Sequence, residues 1–206
     1  MPARLVKGVT RQLPRLFHWR FRHACLTGVL AMFASFAVAA TYDGITVPDS
    51  RIVEGTPLLL NGIGLRTASI FNVHVYVAAL YVEHPSTDPE VILRSPDRKM
   101  LELHFVHDID AIAARKAWQE GFNRTCRAPC QLPQPELAQF LATVPSGHPG
   151  DVARFVFRQD GLFVLLGNQQ IGKVSDPNFI QVILAMFIGP APASERLKQE
   201  LLGRRG

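Results

Sequence analysis

From Ser69 to Val82 the chain alternates with a period of two. Phe71, Val73, Val75, Val77, Ala79 and Tyr81 fall on one side. Ile70, Asn72, His74, Tyr76, Ala78 and Leu80 fall on the other, more polar side. Such alternation predicts a long strand with two unlike faces. Ahead of it, Val47 to Leu60 predicts an entry strand or two, broken at Pro48 and at Glu54-Gly55-Thr56-Pro57. Asn61-Gly62-Ile63-Gly64 predicts a glycine-rich turn that delivers Arg66 to the mouth of the long strand. Pro85 to Pro89 reads as a turn, Asp88 to Arg94 as a short helix, and Lys99 to His107 as the next strand. In that strand Leu101, Leu103, Phe105 and His107 share one face, and Glu102, His104 and Val106 the other.

The period then changes to that of a helix. Asp108 and Asp110 are N-cap candidates for a helix through Gly121, whose apolar side includes Ala114, Trp118 and Phe122. Pro135 opens a second helix, with Leu137, Phe140, Leu141 and Val144 facing inward. Asp151 to Arg158 and Leu162 to Leu166 predict a hairpin joined at Gln159-Asp160-Gly161, a strong turn signal between apolar runs. Asn168-Gln169-Gln170 turns into a short strand from Ile171 to Val174. Asp176-Pro177 starts an apolar helix that ends near Gly189, and a last helix runs from Ser194 to Leu202, capped by Gly203. Strands, helices, a hairpin and then helices make an α+β domain, one antiparallel sheet with helices packed on one face.

Charge divides the chain at about residue 40. The first 40 residues hold six bases, Arg4, Lys7, Arg11, Arg15, Arg20 and Arg22, and no acid. An apolar run from Ala24 to Ala40 follows, ending Val38-Ala39-Ala40. This is the form of a secretory signal peptide, cleaved near Ala39 or Ala40, and it implies a periplasmic location. The run is short for a bilayer span, so the membrane enters only through an uncleaved leader. Residues 41–206 form the expected domain. Of the chain's 22 bases and 17 acids, 16 bases and all 17 acids lie there. The basic excess thus belongs to the leader, and nucleic acid is excluded as a partner.

Cys126 and Cys130 lie beyond the leader, in Cys126-Arg127-Ala128-Pro129-Cys130. In an oxidising compartment, two cysteines this close predict a local disulfide. The CxxxC spacing is not that of a thioredoxin-like site, and no second pair completes a zinc site.

The block from Thr56 to Glu83, TPLLLNGIGLRTASIFNVHVYVAALYVE, resembles the opening strands of the chalcone isomerase fold. It is most similar to the bacterial chalcone isomerase-like proteins, which are usually exported. The resemblance covers residues 45 to 203, since Asp176-Pro177-Asn178-Phe179 and Ile188-Gly189 also resemble that group. It implies the family's open-faced layered fold. In the plant enzymes of this fold an arginine steadies the enolate formed as a ring closes. The Gly-Ile-Gly-Leu-Arg turn carries that role to Arg66, and a fixed cation at a developing oxyanion lowers a barrier by a few kcal/mol. Other positions depart. Tyr76 stands where the plant enzymes have a strand threonine, residues 110–123 contain no tyrosine, and Met186-Phe187 replaces a polar position. Asn123 takes the place of a catalytic asparagine.

Non-catalytic relatives hold fatty acids through an arginine and a tyrosine, and the resemblance brings that role to Arg66 and Tyr76, with Asn123 as a third ligand-binding position. The expected function is binding of a small apolar ligand with an acidic head, without catalysis and without a cofactor. From the residues alone, Arg66 suits either a ligand carboxylate or an acid of the fold, and Tyr76 either a ligand or local packing. One alternative is an isomerase of the intramolecular lyase type, with Arg66 its catalytic residue. Another is haem or a metal held by His74 and His104 on strands expected to pair. A third is an envelope-interaction domain. His148 is expected in an exposed loop.

Overall fold

Two tight hairpins begin the domain, and both have the backbone that a two-residue turn requires. β1 (Ala39–Tyr42) and β2 (Ile45–Pro48) are joined at Asp43-Gly44, and β3 (Ser50–Val53) and β4 (Thr56–Ala68) at Glu54-Gly55. All four turn residues have positive φ, the conformation that matches the twist of the flanking strands. A computed structural model describes residues 39–68 and 71–204, so the expected leader lies outside the described residues except for Ala39 and Ala40, which form part of β1.

The main sheet is an antiparallel meander of seven strands. β3, β4, β5 (Val73–Val82), β6 (Lys99–Phe105), β7 (Val152–Arg158), β8 (Gly161–Leu166) and β9 (Gln169–Val174) lie side by side in chain order. α1 (Pro89–Arg94) connects β5 to β6, while α2 (Ala111–Thr125) and α3 (Gln134–Thr143) connect β6 to β7. α4 (Pro177–Ile188) and α5 (Glu195–Leu201) follow β9. Asp88, Asp110, Asp176 and Ser194 cap α1, α2, α4 and α5, each accepting from a first-turn backbone N–H.

Helices cover one face. Ala78, Leu80, Leu101, Leu103 and Phe155 of the sheet are buried there against Ile92, Phe122, Phe140, Ile183 and Leu197. α4 is apolar around most of its circumference because the sheet, α1, α2 and α5 all pack on it. On the opposite face Val53, Leu58, Ala79, Tyr81 and Met100 form a second core with Val47, and Ala40 and Ile45 pack on it from the first hairpin. The expected α+β, layered antiparallel architecture is thus present, with the first hairpin covering part of the second face.

The glycine-rich segment needs correction. Asn61 to Gly64 is not a turn but lies inside the 13-residue strand β4. Asn61 is the extra residue of a β-bulge, since Leu60 faces Tyr81 while Gly62 already faces Leu80. Its amide donates to the Leu201 carbonyl (2.8 Å) and accepts from the Ser86 N–H (2.7 Å). The glycines make room for α5. A Cβ on Gly62 would lie 2.2 Å from the Glu200 carbonyl oxygen, and one on Gly64 would lie 2.6 Å from the Glu200 Cβ. The true turn comes later, around Asn72 with its positive φ, and β5 begins at Val73 rather than Ser69.

Candidate functional site

Arg66 and Tyr76 are partners across the β4–β5 ladder, on the face toward the helices. Burial pushes the Tyr76 phenol up to about 12, against the opposing pull of the Arg66 guanidinium, which hydrogen-bonds to it. Arg66 also donates to the carbonyl of Thr67. Tyr76 meets the Phe105 ring edge-on, with centroids 6.0 Å apart. The guanidinium and the phenol therefore form one polar spot on an apolar sheet face.

That spot belongs to a cleft of about 500 Å³ between the sheet and the helices. Leu103, Phe155, Val164 and Ile171 supply its sheet side, and Trp118, Phe140 and Phe187 its helix side. Trp118 is the centre of the aromatic wall, within 5.1 Å of the Phe140 centroid and 5.4 Å of that of Phe155. Such a volume lies in the range of roughly 300–1,000 Å³ seen for small-molecule sites, and so does the pattern of apolar walls with few polar groups. Alanines 113 and 117 line the cleft from α2 and are exposed, so the cleft opens to solvent beside that helix.

A second bulge explains where His74 goes. Arg66 faces Tyr76 but Thr67 already faces His74, so Val75 and Tyr76 together oppose Arg66. Val73 and Val75 line the cleft as a result, and His74 turns away to pair with Asp43 at 2.8 Å. The period-two alternation expected for the whole strand therefore holds only from Tyr76 onward.

His104 faces Val77 across the β5–β6 ladder and bonds the Glu102 carboxylate at 3.0 Å. β5 and β6 do pair antiparallel, yet the two histidines are not opposite each other, and each is held by its own carboxylate. The adjacency on which axial ligation by His74 and His104 depended is corrected accordingly. Among the described residues, the one cluster of three metal-ligating groups is Glu83, His84 and Asp97. There His84 pairs with Asp97, and Glu83 accepts from the Arg98 N–H.

Asn123 also needs correction as a ligand-binding residue. It lies on the solvent side of α2, accepts from Gln119 at 3.1 Å, and does not line the cleft. Its neighbour Arg124 does line it. Helical spacing contained this signal: 113, 117, 120 and 124 form one stripe, and all four positions line the cleft. His107 lines the cleft as an exposed residue beyond the end of β6. His148 is exposed, as expected, and pairs with Asp108.

Cys126 and Cys130 are joined in a disulfide with Cα atoms 5.1 Å apart. It closes the loop after α2, away from the lining of the cleft, as a structural staple would. A group that sequence reading missed lies on the other sheet face. Glu102 is fully buried and accepts from Arg51 (3.0 and 2.9 Å), Arg154 (2.9 Å) and His104.

A family model described as chalcone isomerase-like matches residues 39–203. Among solved structures, a fatty-acid binding protein of Arabidopsis thaliana is similar, with a TM-score of 0.68 and 17% sequence identity. The match covers 80% of this chain and 96% of that one. No curated protein matches the sequence.

Proposed function

We propose that this chain, which belongs to the chalcone isomerase-like family, binds a small apolar molecule with an acidic head, of the fatty-acid class, without chemical conversion. The observation that carries this reading is the aromatic cleft of about 500 Å³ whose sheet wall bears the Arg66–Tyr76 pair. A hydrocarbon tail would exchange water for Trp118, Phe140 and Phe155, at roughly 25 cal/mol per Å² of apolar surface. The carboxylate would take a forked pair of donors from Arg66 and a hydroxyl donor from Tyr76. A tyrosine is neutral at physiological pH, and burial pushes the Tyr76 phenol further up, to about 12, so it serves as a donor.

The structural similarity to a plant fatty-acid binding protein supports the same reading. So do two departures from the plant enzymes' pattern. No tyrosine occurs on α2, and Met186 and Phe187 line the cleft with apolar side chains. Export is part of the proposal, supported by the basic leader and by a disulfide that suits an oxidising compartment.

The test is native mass spectrometry of protein purified from its own compartment, paired with fatty-acid titration of the trimmed protein and Arg66→Ala. We expect a mature N-terminus within a few residues of Thr41, a co-purifying acid, and affinity reduced about tenfold to a hundredfold in Arg66→Ala at an unchanged melting temperature. Wild-type protein that binds no fatty acid overturns the reading. Ring closure of a chalcone that depends on Arg66 replaces it with an isomerase. A haem absorption band that His74 or His104 substitutions abolish replaces it with a haem protein.

A further inference from the structure

We infer that Arg124 is a second anchor for the ligand head, and that the head which suits the cleft best is a dianion such as a phosphate monoester. This rests on the reading of the cleft as a ligand site and extends it to the class of head group.

Arg66 stands on the sheet wall and Arg124 on the helix wall of one cleft. The Arg124 Nε donates to the Ala191 carbonyl at 3.3 Å, which fixes the guanidinium and leaves its terminal nitrogens for another acceptor. The side chain lies back along α2 toward the interior. A Cβ on Gly121 would be 3.7 Å from an Arg124 terminal nitrogen and 2.1 Å from the Met186 Cε, and Met186 itself lines the cleft.

The α4–α5 connection brings the two arginines to the same end. α5 passes over Gly62 and then Gly64 of β4 with Leu201 and Leu197, so its N-terminal side points along β4 toward Arg66. The connection just before α5 carries Ala191, which Arg124 holds, and Ala193, which lines the cleft.

Charge then selects the ligand. Among the described residues, neither Arg66 nor Arg124 has a carboxylate within 4.0 Å, whereas Arg51, Arg94, Arg98, Arg154, Arg158 and Arg196 each do; Arg115, Arg127 and Arg204 also lack one, but they do not line the cleft. Glu120 lines the same helix wall, but it is exposed and forms no ion pair with Arg124 at that distance. Two half-buried guanidiniums beside an apolar cleft call for compensating negative charge. A carboxylate brings one charge and two oxygens. A phosphate monoester brings about −1.5 to −2 at pH 7 and three acceptor oxygens, enough for both arginine forks and the Tyr76 hydroxyl.

The experiment compares lauric acid with dodecyl phosphate, matched in chain length, on the trimmed protein. Trp118, the one tryptophan after residue 40, reports binding through its fluorescence. We expect dodecyl phosphate to bind at least about tenfold more tightly at pH 7.5, an advantage that shrinks below about pH 6 as the phosphate takes up its second proton. Arg124→Gln should weaken dodecyl phosphate more than laurate and so remove that advantage, and Arg124→Lys should retain part of it. Equal affinities for the two probes in the wild type overturn the inference and leave the fatty-acid reading intact. So does an Arg124→Gln protein, folded by circular dichroism, that keeps the phosphate preference. Binding of neither probe overturns both.

Discussion

Arg66 faces Tyr76 directly across the β4–β5 ladder, and a bulge at Val75 sets that pairing at the very place where the strand changes its inner face. Without the extra residue, alternation would turn His74 toward the cleft and Val75 away from it. The bulge thus exchanges a histidine for valines on the cleft wall and keeps the Arg66–Tyr76 spot surrounded by apolar side chains.

Tyrosine titration checks this environment. The chain has three tyrosines, and all three phenols are raised. Burial is the largest cause in each, joined by the Glu200 carboxylate at Tyr42 and by Glu102 at Tyr81. A raised phenol stabilises the fold below its unfolded pKa of about 10, and the contribution is lost as pH rises through the folded values. Ultraviolet titration of folded protein should therefore show Tyr76 ionising well above pH 10, near 12, while all three phenols of the unfolded chain ionise near pH 10. Tyr76→Phe should keep the contact with Phe105 and lose about tenfold in ligand affinity. A full phenolate step near pH 10 in the folded protein would mean that the cleft is wetter than described.

Gly62 tests the seating of α5. A methyl group there meets backbone, the Glu200 carbonyl oxygen at 2.2 Å, and backbone cannot rotate away. Gly62→Ala should cost about 3 kcal/mol, at the upper end of overpacking penalties, read as a shift in the urea midpoint. Gly150→Ala is the comparison, with positive φ and nothing within 4 Å of the added carbon. It should cost only about 1 kcal/mol from backbone strain. Equal effects would remove the helix contact as the reason for glycine at 62.

The same glycines show what the sequence could and could not reveal. Period-two and helical patterns placed nearly every element, because each buries one face against a common core. Asn61-Gly62-Ile63-Gly64 read as a turn because turns and close backbone approach both favour glycine, and only the position of α5, some 140 residues later, separates the two. Arg66 and Tyr76 were legible through their motif and shared face. Arg124 was not, because the family motif points to its neighbour Asn123, although helical spacing turns 123 about 100° away from the wall that 124 faces. Glu102 appeared on the more polar face of its strand, but its arginines come from β3 and β7, and pairing between distant strands is not written in local pattern.

Reduction tests the staple. The Cys126–Cys130 ring is very short, so the bond removes little chain entropy from the unfolded state. Dithiothreitol should lower stability by no more than about 2 kcal/mol and leave fatty-acid affinity nearly unchanged, since neither cysteine lines the cleft. Thiol titration of unfolded, non-reduced protein should find no free thiol in the trimmed chain. Two free thiols would remove the staple.

Acid unfolding should reveal the buried carboxylate on the other face. Burial works to raise the Glu102 pKa, but hydrogen bonds from His104, Arg51 and Arg154 outweigh it and hold the group at about 2. A depressed carboxylate stabilises the fold above its unfolded pKa, here 4.5, and that contribution is lost as pH falls toward 2. The difference corresponds to roughly 3 kcal/mol at neutral pH. Glu102→Gln is nearly isosteric but leaves Arg51 and Arg154 without their charge partner, so it should cost about 3–5 kcal/mol at pH 7. The variant should also lose most of the steepness of stability between pH 4.5 and 2, because the group that titrates there is gone. Both arms are needed to assign the effect. A loss at pH 7 with unchanged acid steepness would mean that other carboxylates govern acid unfolding. Parallel curves at equal stability would mean that the cluster contributes nothing net to the fold.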